Sequence, residues 1–469
     1  MLIVHLSAEC YPVAKVGGLA DVVGALPKYS NHIEGTQAMV VMPFVESKFV
    51  HNHKFTVDYE FDMPFGDKIT HVRILKNEDL AFPTFLVQID GFGYRDQVYG
   101  YDNDVFYFLA FQTAALIWIH QWNIQPDIIH CHDHHTGFVP FMMKFAHMFP
   151  KFRNTPSIFT IHNGEYQGPL SYDMAGYFPW FDTWQFPNLV WDNELNAMAS
   201  AIKCAWKVST VSPQYMRELA QGDSTIAPLL RHESGKTLGI LNGIDNEEWD
   251  PSEDEYLLHN YSYKNVAKGK ELNKVALCEN FGFDPALPLI SFIGRFVPQK
   301  GADVLADAIW HAINDLNKDI NFLMVGSGNQ VFSDGINRMI NFTQSKFNTY
   351  IGYNEELARR VYASSDFLVM PSRFEPCGLN QFYALRYGTV PIVRTVGGLL
   401  DSVVDINDDG NGIRFIQLSV DDLNHAFDRA NQLYKNKTNL NKLRKFIMQQ
   451  DFSWEKSANK YQDLYEQLQ

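Results

Sequence analysis

Residues 2–26 read LIVHLSAECYPVAKVGGLADVVGAL. A five-residue apolar strand runs through a loop into a glycine pair, and the pair opens a helix with Leu19, Val22, Val23 and Leu26 on one face. Strand, glycine turn and helix in that order form the opening unit of a doubly wound parallel sheet, in which ligands gather at the carboxyl ends of the strands. The dinucleotide fingerprint G-x-G-x-x-G is missing; Lys15 stands before Gly17 and Gly18 instead. The pattern returns near the other end of the chain. Residues 396–403, VGGLLDSV, repeat the V-G-G-L-x-D-x-V of residues 16–23 after another strand, with Leu399, Ser402 and Val403 on one face. A single Gly-Gly pair need only permit a tight turn. One such pair in each half offers two helix N-termini, whose dipoles favour anions.

Working outward, short apolar runs at 2–6, 38–43, 84–89, 127–131, 157–161, 207–211 and 238–241, then at 289–293, 321–325, 348–352, 367–370 and 390–394, alternate with helical patterns. Such alternation predicts parallel sheets covered on both faces. The chain has 469 residues, too many for one ordinary core, so two doubly wound α/β domains are expected. The seam is placed in residues 242–265, an acidic stretch with Pro251 and no sustained periodicity. The closing FSWEKSANKYQDLYEQL reads as an amphipathic helix. A formal charge of −15 suits neither nucleic acid nor an anionic membrane. Cys10, Cys131, Cys204, Cys278 and Cys377 are scattered and odd in number, which fits a reducing cytoplasm rather than a disulfide framework. No basic-then-apolar leader opens the chain. The most apolar stretch, Phe106–Ile119, is interrupted by Gln112 and Thr113 and is too short to cross a bilayer, so it is read as a buried helix.

Four segments carry candidate chemistry. In FIGRFVPQKG (292–301), Arg295 and Lys300 precede a helix whose N-terminal dipole opposes them unless an anion lies between, as a diphosphate would. In FLVMPSRFEPCGLNQFYALRYG (367–388), Glu375 stands before a helix expected to start near Cys377 and to end at Gly388; the carboxylate suits sugar hydroxyls, and the N–H groups of Cys377, Gly378 and Leu379 would be unpaired donors. In DIIHCHDHHTG (127–137), His130, His132 and His134 alternate as on one strand face. Zinc ligands converge from separate elements or a helical pair, so no metal is expected there. FTIHNGEYQG (159–168) delivers His162 and Asn163 to a strand end in the same way. Asp102-Asn103-Asp104 has the D-x-D spacing of metal-dependent glycosyltransferases, but it precedes the apolar helix and is read as its N-cap.

Taken together, AKVGGLADVVGALPK, HCHDHHTG, HNGEYQG, TVSPQY, GILNGIDNEEWDP, GRFVPQKGAD, PSRFEPCGLNQFYALRYGTVPIVRTVGGLLDSV and FSWEKSANKY resemble, almost end to end, the glycogen and starch synthases that use ADP-glucose. The resemblance implies a GT-B fold, with two Rossmann-like domains facing across a cleft. Residues 1–245 would form the acceptor-side domain and 246–452 the nucleotide-sugar domain, with helix 453–469 crossing back to the first. It implies transfer of glucose from ADP-glucose to the non-reducing 4-OH of an α-1,4-glucan with retention, and no cofactor, since ADP-glucose is a substrate. The family's K-x-G-G lysine falls on Lys15. By motif position Lys15, His162, Arg295, Lys300 and Glu375 are catalytic, and Asp133 and His162 lie on the acceptor side. Gly17, Gly18, Asn242, Tyr353, Cys377, Gly378, Leu379 and Asn380 meet the donor, with Tyr353 under the base. The chain departs from its relatives at Asn380, where many carry Thr, and at STIAPLL (224–230), where the family often has a G-L-E run; Tyr383 stands where the E-x7-E motif of GT-B enzymes has its second Glu, which this family commonly lacks. Two other readings are a retaining GT-B transferase of sucrose or trehalose type, with a small acceptor, and an inactive sugar-nucleotide-binding protein.

Overall fold

A computed structural model describes every residue except Glu78. The chain divides into two compact units, one of residues 1–240 with 454–469, the other of residues 241–453.

The first unit is built on β1 (Leu2–Leu6), β2 (Gln37–Pro43), β3 (Thr56–Phe65), β4 (Lys68–Asn77), β5 (Thr84–Ile89), β6 (Ile128–His132) and β7 (Ser157–Ile161). A small antiparallel sheet of β8 (Pro169–Leu170), β9 (Val190–Trp191) and β10 (Glu194–Asn196) follows, then β11 (Lys207–Thr210) and β12 (Thr237–Gly239). Among the described residues the main sheet runs β12-β11-β7-β6-β1-β2-β5-β4-β3. Its central strands are buried on both faces, which is why they read as short, largely apolar runs without alternation. The sheet is not wholly parallel. β4 runs antiparallel to β5 and to β3, a hairpin that the alternation of strand and helix did not foretell. β3 lies at the sheet edge with most of its side chains exposed, so it carries no apolar run to find.

Helix Asp104–His120 is buried from Tyr107 through Leu116. The interrupting Gln112 accepts the Phe138 N–H at 2.8 Å, and the Thr113 hydroxyl donates to the Leu109 carbonyl. Among the described residues no helix is long and apolar enough to cross a membrane. Helix Trp454–Glu466 packs in this unit: Trp454, Tyr461, Leu464 and Tyr465 share a core with Ile3, Val22, Leu26, Ile128 and Ile158.

The second unit has β13 (Leu289–Ile293), β14 (Asn321–Gly326), β15 (Phe347–Ile351), β16 (Phe367–Met370), β17 (Val390–Arg394) and β18 (Ile413–Phe415), in the order β15-β14-β13-β16-β17-β18, all parallel. Its helices cover both faces. Helix Ala302–Asn314 buries Leu305, Ala308 and Ile309 as its period requires. Buried Asp366 ties the unit together, accepting from Lys274 at 2.7 Å and from Arg444 at 2.5 Å. Residues 242–265 form turns that lead into helix Val266–Phe281.

Candidate functional site

In the second unit the strand ends carry a cluster of polar groups. β16 ends at Met370, and the following loop turns Glu375 inward until it is 4% exposed. Its carboxylate accepts from Lys300 Nζ at 2.6 Å and from Ser372 Oγ at 2.9 Å. Lys300 comes from the end of β13 through a turn closed by Gly301. There φ is +67°, and a Cβ would lie 2.0 Å from the Pro371 carbonyl oxygen. The helix after the loop begins at Asn380, not near Cys377 as the sequence suggested, because Gly378 sits at φ +73° and breaks the helical path. Leu379 is the residue capping that helix, and Gly388 follows its end at φ +68°. The N–H groups of Cys377, Gly378 and Leu379 find no acceptor among the described residues. They stay as donors that a ligand can take.

The second glycine-opened helix, Gly397–Ser402, locks onto this loop. Gly398 donates to the Glu375 carbonyl at 3.0 Å, and a Cβ there would stand 2.3 Å from the Cys377 oxygen. Asn242 is buried with its Oδ1 unpartnered. A buried acceptor left without a donor is costly unless a ligand supplies one. Asn380 spends its side chain locally, donating to the Ile293 carbonyl at 2.7 Å, so the position where many relatives carry Thr braces the end of β13. Tyr383, at the position of the second Glu of E-x7-E, stacks on Trp249 at 3.8 Å. Arg295 is exposed and reaches Gln299 at 3.2 Å. Tyr353, between β15 and helix Glu355–Ser364, is 83% exposed.

In the first unit Lys15 is paired with Asp21 at 2.6 Å. Buried Glu9, which sequence reasoning missed, takes the Val16 N–H at 2.6 Å and the Gly17 N–H at 2.9 Å. The Tyr99 hydroxyl donates to its other oxygen at 2.7 Å. The Gly17 amide therefore has an internal acceptor, and Glu9 shapes the glycine turn from within. Nothing in the sequence spacing marks Glu9 for this.

Asp133 follows β6 at φ 56°, an unusual place for a non-glycine residue. Its Oδ1 accepts from the His162 N–H at 2.7 Å and the Asn163 N–H at 3.3 Å. Burial pushes its carboxyl up to about 7, against the pull of those two amides. The turn at Asp133 also corrects the three-histidine strand face. β6 stops at His132, and His134 goes into a short 3-10 turn. His130 and His132 meet His5 and His162 instead. His5, His130 and His132 bring ring nitrogens within 4.8 Å of one another. These rings already have partners, however: His130 contacts the Tyr465 hydroxyl and the Thr160 hydroxyl at 2.9 and 2.6 Å, and His5 pairs with His132 at 3.0 Å.

The second carboxylate of the D-x-D is likewise spoken for. The Asp104 carboxylate accepts from the Gly100 and Tyr101 N–H groups and from Arg95. The N-cap position itself falls on Asn103, which makes no side-chain cap bond and accepts from Arg95 at 2.7 Å. The motif anchors Arg95 and the preceding turn rather than capping in the expected way.

A family model described as the starch synthase catalytic domain matches residues 2–232, and one for glycosyl transferases group 1 matches residues 287–436. The chain is 44% identical over 467 residues to a glycogen synthase of Flavobacterium johnsoniae, covering 99% of this chain and 98% of that one. It is 36% identical to one of Streptococcus agalactiae across 100% of both. The solved catalytic domain of starch synthase IV from Arabidopsis thaliana, bound to ADP and acarbose, matches with a TM-score of 0.90 at 33% identity, covering 100% of this chain and 99% of that one. A sucrose-phosphate synthase from Thermosynechococcus elongatus matches with a TM-score of 0.65 at 17% identity, a likeness of fold alone. The two doubly wound sheets are those of the GT-B fold.

Proposed function

The chain belongs to the starch and glycogen synthase family and is a hexosyltransferase of that type, and from this premise we propose that it moves glucose from ADP-glucose to the non-reducing 4-OH of an α-1,4-glucan with retention of configuration. The observation that carries the donor reading is the set of groups around Glu375. A buried carboxylate sits on a lysine, three backbone N–H groups in the adjoining loop lack acceptors, and Asn242 has a buried acceptor without a donor. Glucose hydroxyls answer Glu375 and Asn242. Diphosphate oxygens answer Arg295, Lys300 and the N–H groups of Cys377, Gly378 and Leu379. Tyr353 stacks on the adenine.

The reaction breaks the bond from glucose C1 to the phosphate oxygen and forms one from C1 to the acceptor O4. The bonding pair leaves on the diphosphate, and the acceptor proton passes to that departing oxygen on the same face. No enzyme carboxylate need attack, in contrast to a double displacement by two carboxylates. Cations and N–H donors that meet the charge as it develops then lower the barrier, each by roughly 2–4 kcal/mol. Lys15 serves the same departing charge, with Gly17 and Gly18 shaping its turn. Asp133 and His162 serve the glucosyl group and its acceptor. Five buried, unpaired cysteines favour a cytoplasmic setting.

The test is release of ADP from ADP-glucose with glycogen present, set beside UDP-glucose and beside small sugar acceptors. Glycogen-dependent ADP release supports the reading. Faster turnover of UDP-glucose at equal concentration defeats the donor assignment, and transfer only to a small sugar defeats the acceptor assignment.

A further inference from the structure

β1 and β6 are parallel neighbours with His5 opposite His130. This register stacks three imidazoles: His130 lies on His132 at 4.2 Å and His5 packs on both, at 5.0 and 5.3 Å. Two N···N hydrogen bonds then run in series. His5 Nδ1 meets His132 Nε2 at 3.0 Å, and His132 Nδ1 meets His162 Nε2 at 3.0 Å. His5 and His132 are wholly buried, whereas His162 is 7% exposed. The run therefore leads from the core to the residue placed above at the sugar.

Burial holds all three rings neutral, His5 and His162 down to about 3 and His132 well below its ordinary value. Each ring thus carries one proton, and each of the two bonds needs one. Only two arrangements satisfy both bonds, and in each every proton lies on the same side of its ring. In one, the protons point inward, and His5 Nε2 must carry an N–H. In the other they point outward, and His5 Nε2 is a bare lone pair. His5 Nε2 is buried and has no partner among the described residues. Orphaned buried backbone N–H groups are rarer than under-satisfied backbone acceptors, and the same preference carried to the imidazole favours the outward arrangement.

We propose that His5 and His132 are positioning residues: His5 donates to His132, His132 donates to His162, and the proton of His162 is thereby held on Nδ1, which faces the sugar as a donor. Nδ1 of His162 makes no hydrogen bond among the described residues. The second half of the proposal rests on the reading of His162 as a site residue; the tautomer itself does not.

The test uses the full-length chain labelled with ¹⁵N-histidine. Long-range proton–nitrogen spectra give the tautomer of His162, identified by the signals lost in His162→Gln. Protonation at Nδ1 is expected, and protonation at Nε2 overturns the relay. Turnover supplies a second readout. His5→Leu fills the space without donating and should lower kcat about tenfold or more, the scale on which outer partners that orient a functional imidazole act, with the KM for ADP-glucose little changed. His5→Asn places an amide N–H where Nδ1–H stood and should recover most of that loss. Equal activity in the two variants overturns the proposal, as does stoichiometric zinc in the purified protein, because the same nitrogens would then be ligands. If His5→Leu fails to fold, the wild-type spectrum still decides. Normal turnover by His162→Gln removes His162 from the site whatever its tautomer, and so separates failure of the site reading from failure of the relay.

Discussion

At the scale of single residues, charge and its burial set the expectations. Lys15 rests on Asp21 and is half exposed, so it contributes little to stability. Its proposed partner is the diphosphate, whose charge grows as the bond breaks. Lys15→Ala should therefore lower kcat by roughly 10²–10³ while the apparent affinity for glycogen holds, as steady-state kinetics would read. A variant with normal kcat and weakened glycogen affinity would count against the role. Asp133 gives a stability prediction with a definite sign. Burial raises its carboxyl to about 7 in the fold, well above the ordinary carboxylate range. Between about pH 4 and pH 7 the native state thus binds a proton that the unfolded chain has released, and stability from this group falls as pH rises. Asp133→Asn should flatten the fall of Tm across that window, because the amide still accepts the His162 and Asn163 N–H groups without a charge to bury. An unchanged Tm–pH slope in the variant would refute it. The grouping of Lys300 with Glu375 was within reach of the sequence, since both stand at strand ends of one parallel sheet. Glu9 and His5 were not. Glu9 reads as an ordinary loop acid. His5 reads as one polar residue in LIVHL until strand order sets it beside His130.

At the scale of elements, the glycines after strands decide which loops can form. Gly301 caps helix Ala302–Asn314 in the left-handed region, with the Pro371 oxygen against its Cα. Gly301→Ala adds both a backbone strain of roughly 1–3 kcal/mol and a clash with backbone that cannot swing aside. A Tm lower by several degrees is expected, with the KM for ADP-glucose raised because Lys300 is the preceding residue. A variant as stable as the parent would contradict the geometry. Asp104, in the Asp102–Asp104 segment, makes the opposite case, a motif carboxylate that its own surroundings occupy. Since Arg95 and two amides occupy Asp104, glucosyl transfer should persist in EDTA. Activity lost to chelator and restored by Mg²⁺ or Mn²⁺ would return the segment to the active machinery. Strands buried on both faces were legible because each is a short, largely apolar run. The β3–β4 hairpin was hidden, because an exposed edge leaves side chains free to be polar and leaves only a weak alternation. The start of the helix at Asn380 was hidden for another reason: residues 377–379 have no helix-breaking composition beyond one glycine, and it is the left-handed φ of Gly378, beside the close approach of Cys377 to Gly398, that delays the helix.

At the scale of the whole chain, the first unit is completed by residues that lie more than two hundred positions from the rest of it. Helix Trp454–Glu466 lays Trp454, Ala458, Tyr461, Leu464 and Tyr465 against Ile3, Val22, Leu26, Ile128 and Ile158. The Tyr465 hydroxyl also meets His130 Nδ1 at 2.9 Å. Burying each of the large side chains is worth roughly 1.5–3 kcal/mol, and Trp454, Tyr461, Leu464 and Tyr465 together approach the roughly 5–15 kcal/mol that holds a whole domain folded. The helix is therefore structural to the first unit, and it covers the face of β1 and β6 behind the histidine stack. A chain ending at Ser453 should lose hydrogen-exchange protection in β1, β6 and helix Gly18–Ser30, while β13, β14 and β16 keep theirs, since none of their core residues lies in the deleted segment. Protection lost equally in both units would mean that the helix supports the chain in some other way. Protection kept throughout would mean that the apolar face of helix Gly18–Ser30 finds cover elsewhere. The truncated chain should also lose turnover before it loses donor binding, because the groups proposed to bind the nucleotide sugar belong to the unit whose protection persists; binding of ADP measured by calorimetry, set beside ADP release with glycogen, separates the two.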